Sequence, residues 1–222
     1  MRKLVSVVTG TYNRHELLLQ AIQNVREQSY RPLEHVIVAD GPDPKLGRLL
    51  RESLAQSDWM RFSESTGGDL IEEYDVPIRF AELGFHSSSL FRDSVSAAPF
   101  MVAQLLARGE YQITMSDDER FLDPDAITKL VDQLEAYDCD FAYSKAEITF
   151  AWNMKRDIIG CNPPRAGQIT QFLYRRDALD KGMLFRHQIG SGTDWDSVAR
   201  TMASGARWVY VPEVLVTHVA HK

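Results

Sequence analysis

Residues 4–25, LVSVVTGTYNRHELLLQAIQNV, decide how the rest of the chain is read. Leu4 to Val8 is a short apolar run rich in β-branched residues, the mark of a strand buried on both faces. A polar turn follows at once. Asn13 then stands as a helix N-cap with Glu16 three residues on, ahead of Leu17, Leu18, Ala21, Ile22 and Val25 at helical spacing. A buried strand feeding directly into an amphipathic helix is the first half of a βαβ unit.

The pattern repeats outward from there. His35 to Ala39 reads as a second buried strand, stopped by Asp40-Gly41-Pro42, with a helix over residues 46–55 behind it. Residues 77–83 read as a third strand. Residues 91–108 form a long predicted helix in which Pro99 demands a kink or break. Tyr111 to Met115 is a fourth strand, ending at Ser116-Asp117-Asp118-Glu119. Short hydrophobic strands alternating with helices predict an α/β fold with a parallel sheet covered on both sides. In such sheets ligands sit beyond the carboxyl ends of the strands. Thr11 to Arg14, Asp40-Gly41 and Asp117 to Glu119 all fall at such ends. Beyond Asp125 the alternation loosens. A helix is predicted over 126–137, a strand over 141–150, strand-like sequence over 168–175 and a helix over 194–203. Two short extended pieces, 209–211 and 214–219, close the chain.

The 222 residues suffice for one good-sized core. Hydrophobic residues make up 44% and charged residues 25%, an ordinary soluble composition. A net charge of −6 argues against a broad basic face gripping nucleic acid. Cys139 and Cys161 have neither metal-ligand spacing nor a disulfide framework, so they are expected as buried thiols in a reducing compartment. No apolar run approaches the ~20 residues needed to cross a bilayer, and the first strand is too short for a signal-peptide core. A cytoplasmic location is the expectation.

The acidic run calls for a chemical explanation. Adjacent carboxylates at the end of an apolar strand raise each other's pKa unless a cation joins them. A hard divalent ion resolves that and keeps positions open for diphosphate oxygens. Taken alone, the run is better explained as a solvated turn before a helix N-terminus.

Three segments together narrow the choice. VSVVTGTYNRHELLLQAIQNVREQSY, then HVIVADGPDP, then LARGEYQITMSDDERFLDPDAI resemble, in order and spacing, the nucleotide-binding half of family 2 glycosyltransferases. GTDWDSVARTMASGARWVYVPEVLVTHVAHK resembles the C-terminal part of the same family. The resemblance implies the GT-A fold: a Rossmann-like, mostly parallel central sheet flanked by helices, with a mixed C-terminal part that binds acceptor. It implies one domain, residues 1–124 holding the nucleotide-sugar and 125–222 the acceptor. It also implies inverting transfer of a hexosyl-type sugar, with Mn²⁺ or Mg²⁺ as cofactor.

The resemblance assigns roles to individual residues. Thr11 and Tyr12 match the segment lining the nucleobase pocket. Asp40 matches the carboxylate that accepts from the uracil ring N–H, which implies a UDP-sugar, although Ala39 stands where the family often has a second acid. Arg14, Arg92 and Asp117 complete the donor-binding set. Asp118, Glu119 and His218 are the implied metal ligands. The family pattern is two acids with one residue between, so this run also aligns with Asp117 and Glu119 as the pair. Asp194 matches the catalytic base, with Asp196 as its rival. Trp152, Trp195, His187 and Gln188 are candidates for an acceptor pocket, Trp152 equally for the core, and His221 is a lesser metal candidate. The acceptor stays open among saccharide, small molecule, protein and modified DNA, and a homodimer is compatible with the size. Two other readings compete. A sugar-phosphate nucleotidyltransferase usually carries a Gly-rich basic loop after the first strand, whereas residues 10–14 hold one glycine and one arginine. A non-catalytic nucleotide- or sugar-binding protein would have no need to keep Asp40, the acidic run and Asp194 together.

Overall fold

A computed structural model describes residues 1–55, 76–87, 97–160, 171–186 and 192–220. Arg92, Cys161, His187, Gln188 and His221 lie outside the described residues.

The described strands form one nine-stranded sheet. At its centre β1 (Val5–Thr11) lies parallel to β2 (Leu33–Ala39) on one side and β4 (Tyr111–Thr114) on the other, and β3 (Ile78–Glu82) extends β2. Every residue of β1 and β2 is buried, which is why their sequences read as continuous apolar runs rather than alternating ones. The sheet continues through β8 (Phe172–Arg175), β6 (Phe141–Phe150), β9 (Trp208–Ala220) and β5 (Glu119–Phe121), with β7 (Arg156–Ile159) as a hairpin partner of β6. β1, β2, β3, β4, β6 and β9 run the same way; β5, β7 and β8 oppose them. The mostly parallel α/β sheet expected from the sequence is present, and its second half is mixed.

Helices cover both faces. On one, α1 (His15–Arg26) and α4 (Ala126–Ala136) set Ala21, Val25, Ile127, Leu130 and Leu134 against Val5, Val7, Ile113, Ala146 and Val216. Leu18 and Ile22 of α1 meet Ile37, Leu46 and Leu50, the last two from α2 (Pro44–Ala55). On the other face α3 (Ala97–Leu106) places Ala103 against Val8, Val36 and Val38. There α5 (Thr193–Ala203) packs Val198 into an aromatic cluster of Phe141, Tyr143, Phe172 and Tyr174.

Some local expectations are corrected. Asn13 is not the cap of α1: it takes a left-handed φ of 51°, Arg14 holds the cap position, and no side chain caps the helix there. A short amide side chain tolerates that conformation, so Asn13 turns the chain before the helix instead of capping it. Of the helix expected over 91–108, residues 91–96 lie outside the described residues; the described part, α3, holds Pro99 near its start. The two closing pieces are one strand, β9. Pro212 and Glu213 are exposed at a register shift, where a residue without an N–H is tolerated. β5 and β7 had no separate signal; β5 gains its pairing from the distant β9, and β7 from β6 just before it in the chain.

Candidate active site

The site is built where β1, β2 and β4 end. Thr11, the last residue of β1, donates from Oγ1 to Asp117 Oδ2 at 2.8 Å. Arg14, at the start of α1, donates from Nη1 to Asp117 Oδ1 at 3.1 Å and to Asp118 Oδ2 at 2.8 Å. The two carboxylates are only 5% and 7% exposed. Burial pushes the Asp117 carboxyl above its ordinary range, while Thr11 and Arg14 pull it back. The acidic run is therefore not a solvated turn. It is enclosed, and one guanidinium already partners two of its charges.

Glu119 opens β5 directly opposite His218 of β9. His218 Nδ1 lies 3.7 Å from Glu119 Oε1 and 3.9 Å from Asp118 Oδ1, and Glu119 Oε2 accepts the Ser116 N–H at 2.7 Å. The three acids thus share their partners: Asp117 faces Thr11 and Arg14, Glu119 faces His218, and Asp118 stands between, bonded to Arg14 through Oδ2 with Oδ1 toward His218. Among the described residues no three His, Cys, Asp or Glu side chains are drawn close enough to enclose an ion. The donor set nevertheless suits a hard divalent cation. Two buried carboxylates lie 3.9 and 3.7 Å from one imidazole, and ions of this class take one or two protein carboxylates and complete their shell with phosphate oxygens and water.

Beside this cluster lies a second group. Asp40, one residue past β2, accepts the Ser87 N–H on Oδ1 at 2.8 Å and the Ser87 hydroxyl on Oδ2 at 2.6 Å, with His86 Nε2 at 3.5 Å from Oδ2. Gly41 makes this approach possible. Its φ is 113°, and a Cβ there would stand 3.2 Å from the His86 backbone nitrogen. Tyr12 is 56% exposed, and its ring lies 4.0 Å from that of His86. His86 and Ser87 escaped the sequence reading. The rule that ligands gather beyond strand ends, applied to β3 as it was to β1, β2 and β4, would have drawn notice to them.

Asp194 is the second residue of α5, half-buried, with its carboxyl raised by burial against opposing hydrogen bonds from its own and the Trp195 backbone. It is carried by α5, a different element from those that hold the acidic cluster. Asp196, its rival, accepts from Arg200 Nε at 2.8 Å in an i,i+4 pair, so it serves the helix. Trp152 is 47% exposed and belongs to no core.

No family model matches the sequence. Over 136 residues, 60% of the chain, it is 31% identical to the uncharacterized protein y4gI of Sinorhizobium fredii, of which it spans 12%. Among solved structures, residues 1–349 of S. aureus TarS match with a TM-score of 0.72 at 14% identity, covering 97% of this chain and 60% of that one. The same TarS fragment in complex with UDP-GlcNAc matches at 0.70 and 13% identity, over 98% and 59%. A mannosyltransferase from Pyrobaculum calidifontis, in complex with GDP-Man and Mn²⁺, matches at 0.69 and 17% identity, over 99% and 57%. The chain shares its fold with these solved structures, one of them a mannosyltransferase. The chain spans less than two thirds of each of these relatives, and at such identities the likeness is one of fold. Among the described residues no helix is long and apolar enough to cross a membrane.

Proposed function

We propose that this chain is a metal-dependent, inverting glycosyltransferase of the family 2 type, moving a hexosyl unit from a nucleotide-sugar to an acceptor hydroxyl. The observation that carries the reading is the convergence of Thr11, Arg14, Asp117, Asp118, Glu119 and His218 at the strand ends, in a fold whose solved relatives were captured with UDP-GlcNAc and GDP-Man. Residues 1–124 then hold the donor and 125–222 the acceptor, in a protein working in the cytoplasm.

In this reading Tyr12 offers its exposed face to the nucleobase. Asp40 can still accept a ring N–H, since each carboxylate oxygen has a second lone pair beyond the bond from Ser87. In this reading uridine is the preferred base. Asp118, Glu119 and His218 hold Mn²⁺ or Mg²⁺, which when bound neutralises charge on the departing diphosphate. Arg14, already poised over Asp117 and Asp118, supplies further positive charge on that side. Asp194 removes the proton from the attacking hydroxyl on the opposite face of the sugar.

Calorimetric titration with UDP, GDP, CDP and dTDP, each with and without Mn²⁺, tests the reading. UDP binding that needs the metal, and is lost in Asp118→Asn, is the expected result. Absence of any nucleotide binding in the unaltered chain would reduce the likeness to one of fold and sink the transferase reading.

A further inference from the structure

We propose that Phe150 and Trp152, with Asp157 beside them, form a platform that receives a saccharide acceptor at the rim of the transfer site. The inference rests on the transferase reading above and adds the acceptor's chemical class.

Sheet register places the platform. Glu119 lies opposite His218, and His218 opposite Ile148 of β6. Directly opposed residues turn their side chains to the same face. Two residues further along β6, Phe150 lies on that face opposite Ala220. Asp157 of β7 lies opposite Ile148 and shares the face too. The Cα atoms of His218 and Phe150 are diagonal neighbours across a parallel pair, roughly 8 Å apart by ordinary strand spacing and rise. Trp152 leans on Phe150 with ring centroids 5.0 Å apart and planes at 51°. Stepping from core to rim, this one face therefore carries Val216, then His218 and Glu119, then an aromatic pair.

The hairpin tip is a built turn. The Phe150 carbonyl accepts the Met154 N–H at 2.8 Å and the Asn153 N–H at 3.2 Å, Phe150 N–H donates to the Lys155 carbonyl at 2.9 Å, and Asn153 Oδ1 accepts the Lys155 N–H at 3.0 Å. The Trp152 indole, at the carboxyl end of the sheet, leans on Phe150 yet keeps 47% of its surface exposed and joins no core cluster. A pyranose ring has an apolar C–H face and a hydroxyl rim. An aromatic face accepts the first, and a carboxylate such as Asp157 accepts from the second. An anionic membrane is the poorer fit, because Arg156 is drawn to Glu147 at 3.9 Å and Asp157 adds negative charge to the same strand.

A glycan microarray probed with the full chain, and with Trp152→Ala, Trp152→Phe and Asp157→Asn, tests this. UDP calorimetry with Mn²⁺ and flotation with phosphatidylcholine–phosphatidylglycerol vesicles run beside it. The unaltered chain is expected to retain a set of saccharides. Trp152→Ala should weaken them about tenfold, the loss of one packed aromatic contact. Trp152→Phe should keep most of the binding, Asp157→Asn should weaken it, and UDP affinity should stay the same throughout. The proposal is overturned if the unaltered chain retains no saccharide, if Trp152→Ala binds as well as it does, or if Trp152 governs vesicle rather than glycan binding. Glycan binding that depends on Trp152 in a chain that binds no nucleotide would strike instead at the transferase reading, and with it at the platform's role as acceptor site.

Discussion

Burial decides the behaviour of two titratable residues at opposite ends of the chain's chemistry. Asp194 is held above the ordinary carboxylate range by burial at the head of α5. A base must be ionised to act, so transfer should fall as pH drops through that raised value and level off above it. Asp194→Asn should keep donor affinity and lose turnover by about a hundredfold or more; stopped assays with a fixed donor, read against pH, decide it. Normal turnover in that variant excludes Asp194 as base. His35 is a structural counterpart. Its ring is fully buried beneath the sheet, bonded through Nε2 to Thr9 Oγ1 at 2.9 Å, and burial lowers its pKa from 6.5 to about 3. The unfolded chain binds that proton first as pH falls. Stability should hold above pH 6.5 and decline by about 1.4 kcal/mol per unit below it, toward pH 3. Denaturant midpoints of the unaltered chain and His35→Gln, compared at pH 7.5 and 5, should show the steeper loss in the former. Parallel slopes would contradict it.

Among the elements, α4 carries much of the burden of closing the molecule. Ile127, Leu130, Val131 and Leu134 are all buried, and they join the parallel half of the sheet to β6 and β9. Leu130→Ala should cost about 2–5 kcal/mol, the usual range for a core leucine, seen as a lower urea midpoint at unchanged slope. A cost under 1 kcal/mol would mean that α4 is not integral to the core. The same element scale shows how far pattern reading reaches. The runs at 4–8, 35–39 and 111–115 were legible because strands buried on both faces concentrate β-branched residues. β5 was not, because three residues, Glu119–Phe121, carry no period; only pairing with β9 makes them a strand. Pro212 split β9 in the sequence, yet a bulge let the strand run through it.

For the molecule as a whole, the site is an assembly of β1, α1, the turn after β4, β5 and β9. A ligand that bridges these elements must stabilise all of them together. UDP with Mn²⁺ at about a hundred times its Kd should add about 2.7 kcal/mol and raise Tm by roughly 5–10 °C. Either component alone should do less, and differential scanning calorimetry reads the difference. No shift would mean that the cluster serves the fold and not a ligand.

Composition, periodicity and the position of acids at strand ends determined by themselves that this is an α/β chain with Thr11, Asp40 and Asp117 to Glu119 on one rim. Those signals are local, set by which residues a buried strand or an amphipathic helix requires. Only the tertiary structure decided how the acids divide among their partners. Asp117 goes to Thr11 and Arg14, 106 and 103 residues away in sequence, and Glu119 goes to His218 across a strand pair. Only there, too, did Ser87 come to both oxygens of Asp40 and Trp152 emerge into solvent instead of the core. Such pairings depend on sheet order and register, which link segments with no periodic relation along the chain.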